Sequence, residues 1–133
     1  MVNEALPKRE RMVSRKLIDS LFGGGSSSMA AYPLRAIYMT HERAEGEAPV
    51  QILISVPKKR FKHAVDRNRV KRQVRETYRH HKSLLYDALS DHQQLLLAFV
   101  WLSPSHLPSH DVESRIVSLL HRIGEKLNTE NLS

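Results

Sequence analysis

Apolar residues recur at two different spacings along the chain, and the switch between them marks the elements. Leu17, Ile18, Leu21 and Phe22 fall at the three- and four-residue intervals of a helix face. Ser14 stands ahead of them as a side-chain cap, and the glycines at 23, 24 and 25 can end the helix. "GGGSSS" then reads as a loop, since so short a helix before it makes a domain boundary a poor fit.

Two strand candidates follow, "LRAIYMT" and "VQILISV". In the second, Val50, Ile52, Ile54 and Val56 share one face, and Gln51, Leu53 and Ser55 the other. The polar stretch "HERAEGEAP" between them suits a hairpin-like loop. "QQLLLAFVW" is apolar on both alternating faces, as a strand covered on two sides must be, so it is expected to be central. After the turn-rich "LSPSHLPSH", Val112, Ile116, Leu119, Leu120, Ile123 and Leu127 form the stripe of a last helix beginning near Ser109. Asp111 and Glu113 suit its positive end.

Between the second and third strand candidates lies "PKKRFKHAVDRNRVKRQVRETYRHHK". At about 100° per residue, Val70, Val74, Thr77, Tyr78, His81, Leu84 and Leu85 cluster on one side of a helix starting near Ala64. Asn68, Arg69, Lys71, Arg72, Arg75 and Arg79 cover the other. Arg67 falls at the edge of the apolar arc, in the first turn, from which its side chain can reach round the helix end. The elements alternate as helix, strands, helix, strand, helix: an α/β sandwich in one domain, 1–133, with flexible ends at 1–7 and 129–133.

Charge sharpens this picture. The net charge is +7, yet residues 58–82 hold eleven Lys or Arg against Asp66 and Glu76, and the rest of the chain holds ten bases against twelve acids. A field so concentrated is one that a polyanion would meet. A charge run is ordinarily a solvated helix face, but such faces interleave Glu with Lys, and here, past Asp66 in the first turn, only Glu76 breaks the run. Arginine dominates, and its fork binds two phosphate oxygens or stacks on a base, which favours nucleic acid over lipid. Asn68 has two readings, a cap near the helix start or a direct RNA contact.

Other chemistry finds less support. There is no cysteine for a disulfide or a thiolate metal site. No window approaches the roughly 20 apolar residues of a membrane span, and the N-terminal stretch lacks a signal-peptide core, so a cytoplasmic protein is expected. A metal-dependent nuclease needs converging carboxylates or histidines, whereas His80 and His81 point about 100° apart and the acids are scattered. An amphipathic membrane helix wants bulkier residues than Val70, Val74 and Thr77. A general structured-RNA binder, ribosomal or chaperone-like, fits the charge equally well.

The segment from Ser55 to Arg79, "SVPKKRFKHAVDRNRVKRQVRETYR", closely resembles the signature of the bacterial ribonuclease P protein subunit. "RERM" with the short helix ending in Phe22, and the closing "LLLAFVWLSPSHLPSHDVESRIVSLLHRIGEKL", resemble that family's opening and end. The resemblance implies an α+β two-layer sandwich of the ribosomal protein S5 domain 2-like kind. Its small four-stranded mixed sheet is covered by helices in the order αβββαβα, with a left-handed βαβ crossover. It implies a subunit of an endoribonuclease that removes the 5′ leader of precursor tRNA, with catalysis by the RNA subunit and no catalytic or metal-binding residue in the protein. Magnesium is then bound mainly by the RNA. The partners are the catalytic RNA and the precursor tRNA leader, with no membrane and no obligate protein partner.

By position, the residues facing the catalytic RNA are Lys58, Lys59, Arg67, Asn68, Arg69, Lys71, Arg72 and Arg75. A cleft between the basic helix, the sheet and the first helix receives the leader, with Phe22, Ile18 and Tyr38 as candidates to line it. At Ile18 the family favours an aromatic, and an aliphatic side chain cannot provide the roughly 1 to 3 kcal/mol that stacking on a base is worth.

Overall fold

A computed structural model describes residues 6–132. A 3₁₀ turn at Lys8–Glu10 precedes α1 (Arg15–Phe22), β1 (Ser27–Ala31), β2 (Leu34–Glu42) and β3 (Val50–Ser55). There follow α2 (Ala64–His81), the short α3 (Ser83–Tyr86), β4 (Gln93–Trp101) and α4 (Ser109–Leu132). Ser14 caps α1, its Oγ accepting from the Leu17 N–H at 3.3 Å. Beyond Gly23, positive φ angles at Gly24 and Gly25 turn the chain at once into β1.

The strands order as β1-β2-β4-β3. β1 and β2 form an antiparallel hairpin, β2 runs antiparallel to β4 from Leu34 opposite Trp101 to Glu42 opposite Gln93, and β3 lies parallel to β4. The doubly apolar β4 is thus an inner strand, as its pattern requires. Two expectations change. Part of "GGGSSS" is strand: Ser27 and Ser28 begin β1, an edge strand in which Met29 stands alone among small residues and gives no alternating signal. The loop after β2 does not close a hairpin, because β4 separates β2 from β3.

Helices cover both faces of the sheet. Leu34, Ala36, Tyr38, Val50, Ile52, Leu95, Leu97, Phe99 and Trp101 join α2, α3 and α4 in the main core. All six stripe residues of α4 are 1% exposed or less, and burying each Leu, Ile or Val contributes about 1.5 to 3 kcal/mol. On the other face α1 places Leu17, Ile18 and Leu21 against Leu96, Ala98, Ile37 and Leu53, so the two-layer arrangement gains a partial third layer. Residues 129–132, expected as part of a flexible end, continue α4. There Asn131 Nδ2 donates to the Ala88 carbonyl at 3.1 Å. At the other end Leu6 is buried.

Candidate nucleic-acid interface

α2 is fixed by its apolar side. Val70, Val74 and Tyr78 are fully buried, Thr77 nearly so, and the Tyr78 ring meets Phe99 edge-on at 6.1 Å. His81 and Leu84 depart from the expected stripe. The helix ends at His81, so His81 is half-buried beside Glu113 at 3.1 Å, and Leu84, beyond the break, is exposed while Leu85 fills the core.

The opposite side projects as a cationic ridge with two flanks. Asn68, Arg69 and Arg72 are exposed. Arg79 is neutralised by Glu76 at 2.6 Å. Hydrogen bonding from Arg79, with a smaller contribution from His80, holds the Glu76 carboxyl below its ordinary range. On one flank, Arg69, Arg72, Gln73 and His80 border a groove of about 580 Å³ against Leu107 and Ser109 at the start of α4. Gln73 Nε2 spans the base of this groove, donating to the Leu107 carbonyl at 2.9 Å.

On the other flank, Lys71 and Arg75 face Arg11, Val13 and Leu53 across a cleft of about 230 Å³. The cleft is floored by β3 and walled by the segment between the 3₁₀ turn and α1. That segment is stitched to the sheet edge, the Met12 N–H donating to the Ile52 carbonyl at 2.8 Å. Burial, then the neighbouring guanidiniums of Arg11 and Arg72, lower the pKa of Arg75 from its ordinary value. Among the described residues no acid pairs with Lys71, Arg75, Arg69 or Arg72.

Lys58 and Lys59 are exposed in the turn ahead of α2. Arg67 reaches back over the helix end, its Nη1 donating to the carbonyls of Phe61 and Lys62 at 2.9 Å each. The cap position belongs to His63, which makes no side-chain cap bond. Asn68 sits a turn further in, so capping is not its role. Phe22 is 45% exposed, whereas Ile18 packs on the sheet beside Leu96 and Ala98.

Tyr38 is a correction. Its side chain is 4% exposed and belongs to the main core, on the sheet face opposite α1, so it cannot line a cleft with Ile18 and Phe22. One strand face could not be told from the other in "LRAIYMT" because residues on both are apolar. The sheet residues that line the cleft are Ile52, Leu53 and Ile54, from β3 and not β2. Sequence reasoning also missed Arg11 and Val13, which is 75% exposed; the cluster of bases around "KRERM" was their only signal.

The family model for ribonuclease P matches residues 6–124. The chain belongs to the ribonuclease P protein family. A ribonuclease P protein component from Porphyromonas gingivalis is 41% identical over 119 residues, covering 89% of this chain and 85% of its relative. One from Chlorobaculum tepidum is 36% identical over 104 residues, 73% of this chain and 67% of its own. In fold, the ribonuclease P protein of Thermotoga maritima is similar with a TM-score of 0.64 at 20% identity, covering 85% of this chain and 96% of that one. The Staphylococcus aureus protein matches with a TM-score of 0.64 at 18% identity, covering 87% and 95%. A ribonuclease P protein is one component of a ribonucleoprotein, and RNA is the partner that the cationic ridge of α2 suits.

Proposed function

We propose that this chain binds the catalytic RNA of ribonuclease P through the α2 ridge and holds the 5′ leader of precursor tRNA in the cleft beside it, so that the RNA cuts the leader from the mature tRNA. One observation carries the reading: α2 presents arginines and a lysine that have no acid partner among the described residues, on two distinct flanks, one open and one walled. The open flank, with Asn68, Arg69 and Arg72, suits a structured RNA, whose phosphates it would neutralise with release of counterions. The walled flank admits only a thin strand. Its cations would take the phosphates, and its apolar parts, Val13 and Leu53, would meet the bases.

Binding energy gained on the leader is available to precursor and not to product, so it retains substrate over mature tRNA. The chain supplies position and charge, and the RNA supplies the chemistry. Magnesium is assigned to the RNA. Among the described residues no helix is long and apolar enough to cross a membrane. We place the assembly in the cytoplasm, with no obligate protein partner.

Reconstitution tests the reading. Adding the chain to its cognate catalytic RNA should lower the salt and magnesium needed for leader removal, and should favour precursors whose leaders are long enough to fill the cleft. A protein that gives the RNA no such help would overturn it.

A further inference from the structure

Immediately before Arg11 in the cleft wall stands Glu10, whose side chain is almost wholly buried. Its Oε1 receives the Lys82 ammonium at 2.7 Å and the hydroxyl of Tyr86. Lys82 in turn lies over the Tyr86 ring, 5.5 Å from its centroid. A carboxylate is not buried without such partners, because an unpaired charge in the interior is strongly disfavoured. No step of leader removal uses this group.

Its position gives it a different task. Lys71, Arg75 and Lys82 fall within roughly 40° of one another around α2 and its cap, one edge of the helix. That edge therefore carries both the cleft cations and the cation that Glu10 grips. Across from it, Glu10 and Arg11 are successive residues, so the tether and the opposing cleft charge sit on the same short stretch of backbone. Arg11 faces Lys71 and Arg75 with like charge, which drives the N-terminal segment away from the helix. The Glu10–Lys82 pair draws it back. A second hold, Arg11 Nε donating to the Leu6 carbonyl at 3.0 Å, fixes the direction of the side chain.

We infer that Glu10 is a positioning residue for the leader: with Lys82 and Tyr86 it clamps the N-terminal segment to the end of α2. A leader phosphate entering the cleft then meets Arg11, Lys71 and Arg75 already assembled. This rests on the cleft being the leader site. The clamp prepares the cost of gathering three cations before the strand arrives, which is the condition for strong charge recognition.

The test uses the holoenzyme, reconstituted from the chain and its cognate catalytic RNA, with precursor tRNA and leaderless tRNA as ligands. Glu10→Gln should cut the affinity advantage of precursor over leaderless tRNA about tenfold, leave affinity for leaderless tRNA unchanged, and keep catalytic-RNA binding within about twofold. Tyr86→Phe, which retains the ion pair, should lose only about two- to threefold. If Glu10→Gln does not fold, Lys82→Met takes its place, with the same tenfold loss expected. A wild-type enzyme that prefers precursor beside a folded variant with the same preference would overturn the clamp alone. A wild-type enzyme with no preference would overturn the leader reading, and the clamp with it.

Discussion

His106 stacks on Phe61, with ring centroids 4.5 Å apart and planes inclined by 21°, while its Nε2 lies 3.1 Å from Asp66 Oδ1. The connection before α4 is thereby pinned to the turn and first residues of α2. His106→Ala should lower stability by about 1 kcal/mol, the usual worth of an aromatic pair beyond its buried area, and His106→Phe should restore most of it. Urea unfolding of the three proteins measures this.

Two neighbouring arginines should behave differently. Arg69 is exposed and unpaired among the described residues, so Arg69→Ala should leave the melting temperature unchanged. Its catalytic-RNA affinity should fall, with the salt dependence of log K shallower by about 0.7 to 0.9 if one phosphate contact is lost. Arg67→Ala removes two bonds to the carbonyls of Phe61 and Lys62 and should also destabilise the fold, by about 1 to 3 kcal/mol. Filter binding over a salt series, beside thermal melts, separates the two behaviours.

The two candidates on α1 part in the same way. Ile18→Ala opens space between α1 and the sheet and should cost about 2 to 4 kcal/mol of stability. Phe22→Ala removes an exposed ring and should leave stability nearly intact while weakening precursor binding by the roughly 1 to 3 kcal/mol of one stacked base. Equal losses of stability in both would place Phe22 in the scaffold.

Gly124 sits where α4 crosses α3. A Cβ there would lie 3.0 Å from the backbone oxygen of Leu84. Alanine in a helix interior ordinarily gains about 1 kcal/mol over glycine. Gly124→Ala should fail to deliver that gain and should lower the melting temperature, since neither backbone yields easily.

Alkaline titration should report the tyrosines at the clamp. Burial pushes the Tyr78 and Tyr86 phenols well above their ordinary pKa of 10.0, and the Glu10 charge adds to both. A group whose folded pKa is raised contributes stability below its unfolded pKa and loses it as pH rises beyond. Stability should therefore decline from about pH 10 upward, with tyrosinate absorbance from these two residues appearing only as the chain unfolds. Early, fully reversible ionisation of both in the folded protein would contradict it.

Much of this was legible in the residues. The three-and-four spacing of Val70, Val74 and Tyr78 gave α2 its orientation, and once that side is buried the bases have only the outside to occupy. The doubly apolar "LLLAFV" announced an inner strand. What escaped has common causes. β1 is serine and alanine but for Met29, too little to carry a periodic signal, and Tyr38 lies on a strand apolar on both faces, so nothing local marked its side. The cleft wall escaped because Arg11 gains its meaning from Ile52 and Arg75, distant in sequence and brought beside it only by the fold.

The basic helix is also the bridge between β3 and β4, two parallel neighbours whose pairing spans some forty residues of chain. Melting the sheet would therefore scatter the ridge, and an unfolded chain would offer RNA only a diffuse string of charges. Assembly and folding are then thermodynamically linked: RNA at a hundred times its dissociation constant would add about 2.7 kcal/mol to the fold, and a chain weakened anywhere in its core would present itself as a poor RNA binder.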